Sequence, residues 1–346
     1  MNKHIKHFYS SLDFPPSEIR KLADLALTMK KGAVQKSLTG KTLGMLFFNP
    51  SLRTRVSFMV AMQKLGGCAI DVPIKESYTF EYEEGAVMDK GTIEHIKDAA
   101  GVLSRYCDGL AIRASELITT SSESVTVPNW ETLKKDTIMK SFMNYARVPI
   151  INMESNVYHP CQGLGDAMTI TEKLGNPKGK KYVLTWAYHP KALPMATPNS
   201  QILAACDLGM NVVVAHPPGW ELDPQIMKAM ALRAKQSGGT LAFSHSMDEA
   251  IKGSEVVCAK SWGALKHYGH WSEEKIVRDT LKHWIVTKEK MSLSPNAFFM
   301  HCLPVRRNVE VTDEVLDGKN SIILDEAENR MWAQMAILQT LLGGNL

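Results

Sequence analysis

Several short strings along this chain put side chains capable of chemistry at the ends of apolar runs. The first is Ser51-Leu52-Arg53-Thr54-Arg55, which stands between an apolar run and an apolar helix-like stretch. A strand-to-helix turn exposes unpaired backbone N–H groups at the positive end of a helix dipole, and this makes an anion site. Ser51 and Thr54 add hydroxyl donors, and Arg53 adds a planar fork matched to phosphate oxygens. The plain alternative is that Ser51 caps the helix and the arginines are solvated, and for Ser51 alone that alternative is the commoner one. Two arginines bracketing a threonine tilt the reading to phosphate.

Further strings follow. Arg113 closes the run Gly109–Ile112, a place where an arginine seldom serves the core. Asn152-Met153-Glu154 leads by a short loop to His159-Pro160-Cys161-Gln162. Late in the chain stand Ala259-Lys260-Ser261-Trp262-Gly263-Ala264, then His301-Cys302-Leu303-Pro304-Val305-Arg306-Arg307 with Glu310 close behind, and then Asp325 to Arg330. His301 beside Cys302 invites a thiolate nucleophile, but neighbouring residues of a strand point to opposite faces and cannot readily pair. Taken singly, a loop histidine is usually solvated and a strand-end arginine usually makes a surface ion pair.

The elements that must position these groups read as alternating strands and helices. Strands are predicted over 42–48, 68–73, 109–113 and 148–153, with helices near 54–65, 92–105 and 130–145. The plan repeats with strands over 182–187, 211–215, 255–259, 297–301 and 321–324, and helices over 162–174, 198–208, 223–236 and 329–342. Continuous apolar strands between helices predict an α/β protein made of two doubly wound parallel-sheet domains joined by helices, with a boundary near residue 150. In such sheets ligands lie beyond the carboxyl ends of the strands, where the strings above fall.

Composition narrows the function. At 346 residues, with 45% apolar and 22% charged residues, the chain can bury a core without metal or disulfide staples. A net charge of +4 without a basic arm speaks against a nucleic-acid partner and suits a small anionic substrate. The opening MNKHIKHFYSSLDF lacks the apolar core of a signal peptide, and no run reaches membrane-spanning length. Six scattered cysteines without a CxxC pair predict reduced thiols in the cytoplasm. A dinucleotide cofactor would need Gly-x-Gly-x-x-Gly, but the best match, Gly163-Leu164-Gly165, has Met at 168. Gly40-Lys41-Thr42 fails as a phosphate loop because position 35 is Gln, and His267 with His270 lacks a third zinc ligand. No cofactor and no metal are expected.

The string Ser51-Leu52-Arg53-Thr54-Arg55 resembles the Ser-x-Arg-Thr-Arg signature of the aspartate and ornithine transcarbamylases. His159-Pro160-Cys161-Gln162 resembles their His-Pro-x-Gln, and His301-Cys302-Leu303-Pro304-Val305-Arg306 resembles the His-Cys-Leu-Pro-x-Arg of the ornithine branch. The resemblance covers nearly the whole chain. It implies a carbamoyl-phosphate-binding domain (1–150 with 331–346), an acyl-ornithine-binding domain (151–330) that is knotted around 189–200, and a homotrimer with shared sites. It implies that Ser51, Leu52, Arg53, Thr54, Tyr78, Arg113, His159, Pro160, Cys161, Gln162, Cys302, Leu303 and Arg330 bind carbamoyl phosphate. Among these, Thr54, Arg113, His159 and Arg330 would hold the carbonyl oxygen, and Gln162, Cys302 and the Leu303 carbonyl would contact the carbamoyl group. Arg113, His159 and Arg330 are the expected catalytic residues.

The branch is read from what replaces the free amino group's partner. The Ser-Met-Gly string common in ornithine transcarbamylases is absent, and Lys260 stands in its place, suiting an α-carboxylate beside an acylated nitrogen. The strings 185–191 and 259–264 resemble those of N-acetylornithine transcarbamylases, while His216-Pro217 and Glu221-Leu222-Asp223-Pro224 lean toward the N-succinylornithine branch. Tyr78 and Ile93 depart from the acetyl-type pattern, which has tryptophan and glutamate there. The expected acceptor site is Ile93, Glu154, Lys260, Leu303 and Glu310. The expected acceptor is N-acetylornithine, ahead of N-succinylornithine and then free ornithine.

Overall fold

The computed structural model describes residues 6–74, 78–115 and 129–343. Its strands, in chain order, are β1 (Thr42–Phe47), β2 (Cys68–Pro73), β3 (Phe80–Glu81), β4 (Glu94–His95), β5 (Gly109–Arg113), β6 (Ile150–Glu154), β7 (Lys181–Trp186), β8 (Asn211–Ala215), β9 (Thr240–Ser244), β10 (Val256–Lys260) and β11 (Phe298–Met300). They form a parallel sheet in the order β2-β1-β5-β6, a second in the order β11-β10-β7-β8-β9, and a small pair β3-β4. Strands β6 and β10 are buried along their whole length, as continuous apolar runs covered on both faces must be.

In each large sheet the strand order reverses once, between β1 and β5 and between β7 and β10. A crevice opens at such a switch point, beyond the carboxyl ends of the strands. In the first sheet Phe47 lies opposite Arg113, so the Ser51 turn and Arg113 emerge side by side. The β5–β6 register slips between Ile112 and Arg113, which sets Arg113 opposite Glu154 rather than Met153. A bulge of this kind re-aims side chains, and here it lets the two pair as a salt bridge. In the second sheet Lys260 lies opposite Trp186 at the corresponding place.

Two helices tie the sheets together. Leu164 and Met168 of the helix Pro160–Leu174 share one apolar cluster with Ala333, Ala336 and Ile337 of the last helix, Ile323–Leu342, and with Met45, Ile151 and Met153 of the first sheet. They approach closely, since a Cβ on Gly165 would sit 3.1 Å from Arg330 Cγ; on the other side, one on Gly163 would sit 2.8 Å from the carbonyl oxygen of Ser200 in the helix Ala196–Asp207. These glycines therefore serve packing.

Several elements differ from the sequence reading. The run 321–324 is not a strand: Ser321 makes one isolated bridge to Phe299, and the helix starts at Ile323 with Asp325 and Glu326 in its first turn, where acidic residues are favoured. Strand β9 was not anticipated, because an edge strand with half-exposed residues lacks a buried apolar run. The helix Pro16–Lys30 was also missed, although Ile19, Leu22, Ala23, Ala26 and Met29 line its buried face. The expected helix 130–145 breaks at Asp136, whose backbone is left-handed (φ 48°) and whose carboxylate accepts from Asn156 N and from the Tyr9 and Ser155 hydroxyls.

Beyond the second switch point one buried ion pair locks the loops in place. Arg278 is fully buried and donates to both oxygens of Glu274, at 2.9 and 2.6 Å. It also donates to the carbonyls of His189 and Trp262 and to the Ser261 hydroxyl, while its guanidinium lies over the rings of Trp186 and Trp220. Glu274→Ala strands that charge, and breaking one partner of a buried pair costs about 3–5 kcal/mol. Denaturant unfolding of this variant is expected to show a loss of that size; a change below about 1 kcal/mol would mean the pair contributes no more than an exposed one.

Candidate active site

The helix Leu52–Lys64 begins directly beyond β1. Ser51 is its N-cap in backbone conformation, but its side chain makes no capping hydrogen bond, so its hydroxyl stays available to a ligand. Thr54 is buried and accepts from Arg330 at 2.8 Å, which brings the last helix onto the first turn of this one. Arg55 faces away, pairing with Asp71 at 2.9 Å over the Phe47 ring.

Around this turn gather Arg113, paired with Glu154, and His159, whose Nε2 lies 3.7 Å from the same carboxylate. The Nε atoms of Arg53, Arg113 and Arg330 and the Nδ1 of His159 are buried with no hydrogen-bond partner among the described residues. Burial pushes the His159 pKa well down, and Arg330, Arg113 and Lys260 add to the effect, so the imidazole is neutral at physiological pH. A neutral imidazole still donates one N–H to an oxygen.

Gln162, in the first turn of its helix, is held from behind. Its amide nitrogen donates to Asp166 at 2.7 Å and to Glu326 at 3.0 Å. Both carboxyls are fully buried. Burial raises Asp166 to about 6 and drives Glu326 well above the carboxylate range, with their mutual repulsion adding to the rise at Glu326. The pair therefore keeps a proton, on Glu326. With both amide hydrogens spent on carboxyls, Gln162 has its carbonyl oxygen free to accept. Glu326 also receives the His301 backbone N–H at 2.9 Å, joining this support to the end of β11. Neither Asp166 nor Glu326 stood out in the sequence, since each partner lies on a different turn or element.

The far wall is built from β10 and the loop after β11. Lys260 is buried; burial lowers its pKa, but Cys302, Glu310 and Glu154 nearby outweigh this and the net shift is upward, so it is an ammonium. Leu303 takes a left-handed backbone (φ 52°), a costly conformation for a non-glycine residue that tends to occur at functional loops. Leu303 N donates to His301 Nδ1 at 3.2 Å, which leaves the proton on Nε2, 3.6 Å from Glu310. Arg306 donates from its backbone to Glu310 at 2.7 Å and from its side chain to His189 at 2.8 Å.

The structure thus brings together Ser51, Arg53, Thr54, Arg113, Glu154, His159, Gln162, Lys260, Cys302, Leu303 and Arg330 through shared contacts and fields. Pro160 and Cys161 start the helix behind His159, both buried. Glu310 is buried within its own loop, its carboxylate taken up by Arg306 N and facing His301; despite the opposing effect of burial, these neighbours and Lys260 hold its pKa down to about 2. Tyr78 and Ile93 stand apart, just before the short strands β3 and β4. They are 41% and 55% exposed, with the Tyr78 hydroxyl on Glu94. Cys302 is no nucleophile in this setting: burial raises its thiol to about 12, and His301 is occupied by Leu303 and Glu310.

Two doubly wound parallel sheets, with buried cations gathered where both reverse, define an α/β protein with its candidate site at the two switch points. The match to known proteins is specific. Residues 6–172 match the carbamoyl-P binding domain of aspartate/ornithine carbamoyltransferases, and residues 195–341 match their Asp/Orn binding domain. The chain is 43% identical over 343 residues to the N-acetylornithine carbamoyltransferase of Xanthomonas campestris pv. campestris, covering 98% of each chain. It is 37% identical over 337 residues to the ornithine carbamoyltransferase of Pyrococcus abyssi, covering 96% of this chain and 94% of that one. It superposes on an acetylornithine transcarbamylase complexed with acetylcitrulline with a TM-score of 0.92 at 42% identity, covering 97% of this chain and 99% of the other. A glutamate-to-alanine form of such an enzyme, complexed with carbamyl phosphate and N-succinyl-L-norvaline, gives a TM-score of 0.91 at 43% identity, covering 97% and 100%. The chain belongs to the aspartate/ornithine carbamoyltransferase family, and it is a carbamoyltransferase.

Glu326→Gln sets an NH2 against either the Gln162 amide or the His301 N–H. Losing one buried acceptor costs about 1–3 kcal/mol. Thermal unfolding and kcat should both fall, and an unchanged kcat would show that Gln162 needs no such support. Cys302→Ser should retain substantial activity, because no thiolate attack takes place. Complete loss of turnover with the fold intact and carbamoyl phosphate still bound would reinstate a nucleophile.

Proposed function

We propose that this enzyme transfers the carbamoyl group of carbamoyl phosphate to the side-chain amine of N-acetyl-L-ornithine, giving N-acetyl-L-citrulline and phosphate, a step of arginine biosynthesis. The observation that carries it is the set of buried donors without partners among the described residues, on Arg53, Arg113, Arg330 and a neutral His159, near the N-terminus of the helix Leu52–Lys64 and Lys260. In this reading Ser51, the Leu52 N–H, Arg53 and Thr54 hold the phosphate. Thr54, Arg113, His159 and Arg330 polarise the carbonyl, while the Gln162 oxygen and the Leu303 carbonyl accept from the carbamoyl NH2.

The acceptor amine attacks the carbonyl carbon and the C–O bond to phosphate breaks. Phosphate departs with the bonding electrons and takes up the proton lost by nitrogen. Donors preorganised toward the developing oxyanion are each worth about 2.7–4 kcal/mol on removal. Glu154 and Lys260 serve the ornithine end, with Lys260 facing the α-carboxylate, which suits an acylated nitrogen rather than a free ammonium.

The succinyl acceptor is the second reading. It is favoured by Ile93, where the acetyl-type pattern has glutamate, and by the succinyl-norvaline complex of the glutamate-substituted relative. Glu310 bears on this choice less directly than its sequence position suggests, because its carboxylate is tied within its own loop. Tyr78 and Ile93 complete a neighbouring subunit's site in a homotrimer. That assembly is supported by their exposure and by the exposed apolar residues Leu52, Val56 and Met59, spaced along one face of the helix Leu52–Lys64. All six cysteines are free, which supports a cytoplasmic setting, and no described helix is long and apolar enough to cross a membrane.

The test is a colorimetric ureido assay with carbamoyl phosphate and each acceptor. The kcat/KM is expected to rank N-acetylornithine first, N-succinylornithine second and ornithine last, and Arg53→Ala should lose turnover without unfolding. A wild type that prefers N-succinylornithine or ornithine contradicts the acceptor, and an active Arg53→Ala contradicts the phosphate assignment.

A further inference from the structure

We propose that His216, Glu221 and His245 form a site for one divalent transition-metal ion of the zinc class, outside the carbamoyl-transfer cleft. The sheet itself creates the pairing. Ala215 and Ser244 are register partners at the ends of the parallel strands β8 and β9, and the next residue of each strand is a histidine. The His216 N–H donates to the Ser244 carbonyl at 3.0 Å, extending the ladder by one step. The two imidazoles consequently leave adjacent strands at one level, with ring centroids 5.1 Å apart. A tight turn, in which Trp220 N donates to the Pro217 carbonyl at 3.1 Å, then returns Glu221 to the same place. One ligand atom from each of the three residues lies within 4.8 Å of the other two.

The hydrogen bonds behind these side chains have the pattern that metal-binding histidines use. His216 Nδ1 lies 2.9 Å from the Pro217 carbonyl, and His245 Nδ1 lies 3.0 Å from the His216 carbonyl. A ring nitrogen facing a carbonyl oxygen must carry the hydrogen, so in both residues Nε2 holds the free lone pair. Glu221 is steadied in the same way, one carboxylate oxygen accepting from Gly219 N at 3.1 Å while the other is left to a ligand. Tetrahedral zinc with bonds near 2.0–2.1 Å spaces its ligand atoms about 3.4 Å apart. Glu221 and His245 are exposed, so rotation of their side chains can close that gap around the buried His216. Two imidazoles and one carboxylate favour zinc, cobalt or nickel over magnesium or calcium, which prefer all-oxygen shells.

The ion would act as a clip. Strand β9 is an edge strand, paired among the described residues only to β8, and the metal would fasten its end to β8 and to the Pro217–Glu221 turn. The Trp220 carbonyl in that turn accepts from Trp262 Nε1 at 2.9 Å, two residues beyond Lys260, so the clip would also stiffen the support of the acceptor wall.

Purified enzyme stripped with chelator, then dialysed against Zn2+ or Co2+, tests the site by metal analysis, visible absorption and thermal unfolding. Wild type should retain about one ion per chain, show cobalt d–d bands and melt at a higher temperature with Zn2+, since an ion that binds the folded state stabilises it. His245→Ala and Glu221→Gln, both at exposed positions, should each weaken binding about tenfold or more and lose the cobalt bands, while His267→Ala should behave as wild type. Zinc retained equally by wild type, His245→Ala and Glu221→Gln, or none retained by wild type, overturns the proposal.

Discussion

Positive charge buried at the meeting of the two switch points is the constraint on which the rest of the site depends. Arg113, Arg330 and Lys260 are largely or wholly withdrawn from water, with Glu154 among them and Glu310 committed to its own loop. Unpaired charge in such surroundings is costly, and the chain limits the cost in two ways. His159 is held neutral, which removes one further cation. In the proposed function the remaining excess is offset by the substrates, the phosphate at the Ser51–Thr54 turn and the α-carboxylate at Lys260, so the energy spent in gathering these cations would return as selectivity for anionic ligands.

Such an arrangement needs rigid backing. Glu326 joins three elements through two hydrogen bonds, to the Gln162 amide and the His301 backbone, and the proton shared with Asp166 spares the interior a second negative charge. Arg278 does the same on the acceptor side, where one guanidinium fixes carbonyls from two loops and stacks on two tryptophans. In both cases a residue that need not touch substrate decides where the ones that do will point.

Much of this was legible from residue types and order. The parallel strands announced themselves as uninterrupted apolar runs, and the strand-to-helix turn carrying Ser51 to Arg55 showed at the end of one of them. What escaped was set by long-range pairing. Gln162 and Glu326 are 164 residues apart, and Glu326 looked like an ordinary first-turn acid until the fold placed it against Asp166. Glu274 and Arg278 stand four residues apart, the spacing of an ordinary surface pair, so nothing in the sequence marks them as fully buried. The 321–324 run was apolar enough for a strand, but the acidic turn that follows made it the start of a helix. Strand β9 lay at an edge, where burial leaves too weak a pattern to find.

Calorimetric titration with phosphonoacetamide, in which a methylene replaces the bridging oxygen of carbamoyl phosphate, tests the central claim most directly when set beside malonamide, its uncharged counterpart. If buried cationic donors define the site, phosphonoacetamide binds once per active site, more weakly as salt rises, and malonamide does not bind measurably. Comparable affinity for the two, indifferent to salt, would contradict the account.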